Sequence, residues 1–120
     1  MAKRILLVDD DENILFLFGL ALEDGGYSVE KARCGKDALN LAQKMEFDLV
    51  ILDYKLSDMK GDEIADRLNL KSNPVPILLV TGYREMSERF EKTPHPGISK
   101  VLLKPLTDDE LVAEVDHVLM

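Results

Sequence analysis

Ile5-Leu6-Leu7-Val8-Asp9-Asp10-Asp11-Glu12 is a short apolar run that ends abruptly in acids. The run does not alternate with polar residues, so it does not describe a sheet with one wet face. Continuous apolar strands of this length suit a parallel sheet covered on both sides. Three further runs repeat the pattern: Leu49-Val50-Ile51-Leu52, Ile77-Leu78-Leu79-Val80 and Val101-Leu102-Leu103. A fifth, Tyr27-Ser28-Val29-Glu30-Lys31-Ala32, does alternate and reads as an edge strand.

Helical patterns fall between the strands. Residues 11–24 open with Asp11 and Glu12 at the positive end of the helix dipole and stop at Gly25-Gly26. Residues 35–46 carry Ala38, Leu39, Leu41, Ala42 and Met45 at helical spacing, and residues 61–70 carry Ile64, Ala65, Leu68 and Leu70. A last helix over about 107–119 has Thr107 or Asp108 as its cap and Leu111, Val112, Val115 and Val118 as its inner stripe. Residues 83–97 hold only Met86 with Phe90, and Thr93-Pro94-His95-Pro96-Gly97 ends any helix by about residue 92, so two loosely packed, mobile turns at most are expected there. Strand and helix alternate five times, which defines a doubly wound α/β fold of three layers with right-handed crossovers.

Composition sets the surroundings. The 120 residues leave room for one domain, and about two-thirds of the unfolded surface is buried at this mass. Fifteen Lys and Arg against 23 Asp and Glu give a net charge of −8, which repels phosphate backbones and anionic lipids and argues against nucleic acid as a direct partner. The single Cys34 excludes a disulfide framework and suits a reducing cytoplasm. The longest apolar stretch, Ile14 to Leu22, is too short to cross a bilayer.

Each apolar strand runs into a residue able to do chemistry: Asp9, Asp10 and Asp11 after the first, Asp53 after the second, Thr81 after the third, Lys104 after the fourth. Open parallel sheets bind ligands beyond the carboxyl ends of their strands, where strand order reverses. Two carboxylates about 4 Å apart repel by roughly 1 kcal/mol in water and about 4 kcal/mol at an effective dielectric of 20, so a proton or a cation must relieve them. All-oxygen donors with water suit magnesium. A magnesium ion beside a carboxylate nucleophile, with an ammonium and a hydroxyl opposite, is an arrangement for phosphoryl transfer.

Val8-Asp9-Asp10, Asp53 with Gly61 eight residues on, Thr81-Gly82 and Lys104-Pro105 resemble the receiver domain of two-component response regulators, over the whole chain 1–120. The resemblance implies a flavodoxin-like, five-stranded parallel sheet in the order 2-1-3-4-5. It implies that Asp53 accepts a phosphoryl group from a sensor histidine kinase or a histidine phosphotransfer protein and thereby changes which downstream target binds. Asp10, Asp53 and the Lys55 carbonyl would hold Mg2+, with Asp9 assisting through water. Lys104 would pair with the phosphoryl group or Asp53, Thr81 and the Gly82 amide would bind phosphoryl oxygens, and Lys104-Pro105 would be cis. Such a domain modifies itself and is no enzyme in the ordinary sense.

Two positions depart from the family pattern. Val101 stands where an aromatic that swings inward on activation is usual, so no output face is read from it, and Ser57 replaces the usual proline, which leaves the loop 54–60 less rigid. Lys55 and Tyr83, two residues beyond Asp53 and Thr81, flank the path of an attacking water.

The rival reading is a phosphatase of the haloacid dehalogenase type with Asp9 as nucleophile. Asp9-x-Asp11, Thr81, Lys104 and Asp108-Asp109 imitate its motifs, but Asp53 then has no role and Asp108-Asp109 reads as a helix start. Asp9-x-Asp11-x-Asn13 imitates a calcium loop and fails at Ile14 and Leu20, and Gly35-Lys36-Asp37 lacks the rest of a phosphate loop. His95 and His117 read as solvated and Cys34 as an inert small residue. The first helix carries surplus apolar residues: Ile14, Leu17, Phe18, Ala21 and Leu22 can face the sheet, which leaves Leu15, Phe16, Gly19 and Leu20 to a neighbouring helix, a kinase or a weak homodimer. The chain stops directly after the last helix and begins a few residues before the first strand, so the expectation is a stand-alone receiver.

Overall fold

The structure is a computed structural model that describes residues 2–70 and 74–120. Five strands, β1 (Arg4–Val8), β2 (Ser28–Ala32), β3 (Leu49–Asp53), β4 (Ile77–Thr81) and β5 (Lys100–Leu103), alternate with five helices. These are α1 (Glu12–Asp24), α2 (Gly35–Lys44), α3 (Gly61–Leu68), α4 (Arg84–Lys92) and α5 (Asp108–Leu119). The sheet is parallel throughout, in the order β2-β1-β3-β4-β5. Its order reverses between β1 and β3, which opens the crevice that the strand-end residues share.

Alternation along each strand splits the core in two. Leu6, Val8, Val50, Leu52, Ile77 and Leu79 face α2, α3 and α4. Ile5, Leu7, Leu49, Ile51, Leu78 and Val80 face α1 and α5. Both faces are buried, which is why the three central strands read as unbroken apolar runs. β2 lies at one edge, where Ser28 and Lys31 are exposed, Val29 and Glu30 are partly buried and Ala32 is buried.

Local chemistry sets the helix ends. The Asp11 carboxylate accepts from the Asn13 N–H and caps α1, and Thr107 accepts from the Glu110 N–H at 3.1 Å to cap α5. α1 stops where Gly26 takes φ 95°, a conformation that favours glycine. At Gly61 the constraint is space instead: a Cβ would come within 2.7 Å of a Leu79 methyl and 3.1 Å of the Tyr54 Cα.

The structure corrects several expectations. α2 and α3 each end two residues early, and Leu70 lies beyond α3 with 85 % of its surface exposed rather than on an inner stripe. α1 is rotated relative to the expected face. Leu15, Phe18, Gly19 and Leu22 are buried, whereas Leu17 is exposed alongside Phe16 and Leu20. Gly19 lies against the Lys31 stem of β2, where a Cβ would come 2.6 Å from its Cε. α4 runs nine residues, longer than two turns, and anchors Phe90 edge-on to Tyr54 at 6.1 Å between centroids. His95 is not solvated: its Nδ1 accepts from the Gly97 N–H at 2.9 Å, so the proton sits on Nε2 and is donated to Asp66 at 2.6 Å. His117 is exposed, as expected.

Candidate functional site

β1 and β3 are register partners from Ile5 with Leu49 to Val8 with Leu52, so Asp9 and Asp53 emerge side by side. β4 adds Thr81 as its last residue and β5 releases Lys104 one residue after its end. The parallel register therefore carries four distant sequence positions to one rim. Acidic oxygens of Asp9, Asp10 and Asp53 all lie within 4.8 Å of one another, forming a cluster able to hold a metal ion.

The Lys104 ammonium enters this cluster from the opposite side, 3.3 Å from Asp9 Oδ2 and 3.5 Å from Asp53 Oδ1. Lys104-Pro105 is cis, and the Lys104 N–H donates to the Thr81 carbonyl at 2.8 Å. Asp9 is buried and its second oxygen accepts from the Asp11 N–H at 2.9 Å, which fixes the carboxylate plane. Thr81 is buried too; its hydroxyl oxygen accepts from the Tyr83 N–H at 3.1 Å, so the O–H remains a donor. Gly82 is exposed, and a side chain there would meet nothing within 4 Å, so packing alone does not require glycine.

Burial dominates the electrostatics. It pushes the Asp53 carboxyl up to about 6; Lys104 opposes the rise and the Asp9 charge adds to it. Burial raises Asp9 as well, against its Asp11 N–H bond and Lys104. For Lys104, burial acts downward, but the charges of Asp53 and Asp9 outweigh it and hold the ammonium above its ordinary value. Three carboxylates and one ammonium leave a charge of −2 when all are ionised, which a divalent cation would neutralise. The donors are all oxygen, and they fit a hard ion such as Mg2+.

Lys55 is exposed, and its ammonium stands 5.7 Å from the centroid of the Tyr83 ring, so these two side chains meet over the outer edge of the site. Asp108 and Asp109 lie in the first turn of α5 behind its Thr107 cap, with a helix-start role. One residue of consequence escaped the sequence reading. Asp58, in the loop after β3, accepts from the N–H groups of Gly35 and Lys36 at the start of α2. The available signal was weak: Cys34, just before the α2 pattern, is not a favoured N-cap residue, and in the structure it makes no side-chain capping bond.

A doubly wound sheet with an acid cluster, a lysine and a threonine at its switch point defines a class of phosphoryl-handling α/β domains. The family model for the response regulator receiver domain matches residues 5–116, so the chain belongs to that family, a module of two-component signalling. It is 35 % identical over 121 residues to the alkaline phosphatase synthesis transcriptional regulatory protein PhoP of Bacillus subtilis, covering 99 % of this chain and 49 % of that protein. It is 31 % identical over 116 residues to the transcriptional regulatory protein GlrR of Escherichia coli, covering 97 % of this chain and 26 % of that protein. The chain thus spans half or less of the length of these curated relatives. Among solved structures it resembles the chemotaxis response regulator CheY4 of Vibrio cholerae, with TM-score 0.88, 30 % identity and coverage of 99 % and 100 %. It also resembles the response regulator TrrA of Thermotoga maritima in complex with Mg2+-BeF, with TM-score 0.85, 32 % identity and coverage of 98 % and 99 %.

Proposed function

We propose that residues 1–120 form one receiver domain in which Asp53 is the phosphoryl acceptor and the remaining site residues divide the work around it. The observation that carries this reading is that Asp53, at the end of the central strand β3, shares one oxygen cluster with Asp9 and Asp10 while its Oδ1 lies 3.5 Å from the Lys104 ammonium. An Asp53 oxygen attacks the phosphorus of a phosphohistidine, the P–N bond breaks, the imidazole leaves and an acyl phosphate forms. Lys104, Thr81 and the Gly82 amide take the charge on the phosphoryl oxygens. Asp10, Asp53 and the Lys55 carbonyl would hold Mg2+ directly, with Asp9 assisting through water, and the ion would supply further charge neutralisation to the transferring group.

The donor is a sensor histidine kinase or a histidine phosphotransfer protein, and the consumer is a downstream target whose binding the phosphorylated form favours. The domain turns over no separate metabolite, so it acts as a switch rather than as an enzyme. No helix among the described residues is long and apolar enough to cross a membrane, and we place the domain in the cytoplasm. Its net charge of −8 turns it away from DNA.

Mass spectrometry after incubation with acetyl phosphate and Mg2+ tests the acceptor. Wild type and Asp9→Ala should gain one phosphoryl group and Asp53→Ala none. Labelling that survives in Asp53→Ala but is lost in Asp9→Ala would move the nucleophile to Asp9. No labelling of any form would leave only a binding module.

A further inference from the structure

The loop between β3 and α3 carries Lys55 and has no proline at 57 to stiffen it. Within the loop, Lys55 and Lys60 pair as an antiparallel bridge, and the Leu56 N–H donates to the Met59 carbonyl at 3.3 Å. Asp58 reaches out of it. Its two carboxylate oxygens accept separately from the Gly35 N–H at 2.8 Å and the Lys36 N–H at 2.9 Å. These are the first two N–H groups of α2, which the local N-cap residue Cys34 leaves without a side-chain acceptor. The same N–H donors hold the Asp58 carboxyl below its ordinary range. Met59 completes the docking: a Cβ on Gly35 would come within 2.8 Å of its sulfur, so the glycine makes room for it.

We infer that Asp58 is a positioning residue for the cation site: by clamping the loop to the start of α2 it fixes Lys55 against the crevice that Asp53 shares. The inference rests on the reading under Proposed function, in which the Lys55 carbonyl is a cation donor. Asp58 is too far along the loop to be that donor itself, since its carboxylate is committed to α2. Its effect reaches the site through the Lys55–Lys60 bridge, which makes the two limbs of the loop move together. The clamp does for this loop what a ring at position 57 would do by stiffness.

The test separates positioning from mere support of α2. Mn2+, as a stand-in for Mg2+, is titrated into the full chain and free ion is read by electron paramagnetic resonance, with urea midpoints measured beside it. Asp58→Ala should weaken Mn2+ binding about tenfold, the lower end of what loss of an outer partner of a metal site costs, and Asp58→Asn, which keeps an acceptor oxygen, by about threefold or less. Cys34→Ser combined with Asp58→Ala gives α2 a local cap, so the urea midpoint should recover while Mn2+ binding stays weak. Should Asp58→Ala be too unstable alone, the double variant carries the comparison. Affinity equal to wild type in Asp58→Ala, or restored in the double variant, overturns the positioning role and leaves the proposed function standing. A wild type that binds no Mn2+ overturns both.

Discussion

The ammonium of Lys55 lies 5.7 Å from the centre of the Tyr83 ring, which joins the loop after β3 to the loop after β4. Both residues are exposed, so the contact is worth about 0.5–1 kcal/mol. Under the proposed function, the pair flanks the path of a water attacking an acyl phosphate at Asp53. Replacing both residues by alanine should open that approach and shorten the phosphoryl lifetime by up to about fivefold, the factor that about 1 kcal/mol represents. Loss of label followed over time after removal of acetyl phosphate measures this. An unchanged lifetime in the double variant refutes the role.

The raised carboxyl of Asp53 makes stability depend on pH with a definite sign. Its folded value is about 6 against 3.8 for the free side chain, so between about pH 4 and 6 the folded domain holds more proton than the unfolded chain. Stability therefore falls as pH rises through that window, and Asp9, also raised, acts in the same direction. Without divalent cation, wild type should be more stable near pH 5 than at pH 7. Asp53→Asn removes this contribution and should be the more stable protein at pH 7, by about 1–2 kcal/mol after allowing for the solvent that reaches the side chain. Urea midpoints at the two pH values in chelator decide it. A wild type that gains stability from pH 5 to 7, with no advantage for Asp53→Asn, contradicts it.

The fold and the site were legible in the same four runs because a parallel sheet buried on both faces writes itself as continuous apolar strands. Its geometry brings the ends of those strands to one rim, so Asp9, Asp53, Thr81 and Lys104 could be grouped from order alone. The face of α1 could not, because residues 14–22 are apolar almost throughout and several stripes satisfy a helical period. Contacts such as the Lys31 stem against Gly19, between an edge strand and a helix, are ones that periodicity does not encode. His95 with Asp66 and Asp58 with α2 were hidden for the related reason that each pairs residues far apart in sequence through loops.

Lys104 is the counter-charge of the buried Asp9 and the partly buried Asp53, and its removal should separate cation binding from phosphoryl transfer. In Lys104→Met the cluster loses the ammonium that lies against it and becomes more negative, so Mg2+ should bind at least as tightly as in wild type. The charge developing on the phosphoryl oxygens, however, loses a fixed partner, and labelling by acetyl phosphate should slow by about 100-fold. Calorimetric titration of Mg2+ beside the labelling rate provides both readouts. A variant that labels at the wild-type rate removes Lys104 from the transfer step.

Phe16, Leu17 and Leu20 expose 61 %, 50 % and 49 % of their surface on α1, a cluster of apolar side chains that the core does not use. The groove between α1 and α5 beside them is lined by Leu17 and Leu20 and rimmed by Asp24, Asp108, Asp109 and Asp116. Two copies meeting across this face would oppose aspartate to aspartate, so a helix with an apolar stripe and basic flanks fits it better than a second copy does. Phe16→Glu should therefore slow phosphotransfer from a kinase or phosphotransfer protein that labels wild type by about tenfold or more, as loss of an aromatic anchor does at other interfaces. Labelling by acetyl phosphate, which needs no docking, should stay at the wild-type rate. Transfer at an undiminished rate, together with an unchanged sedimentation profile, would show that this face serves neither a donor nor self-association.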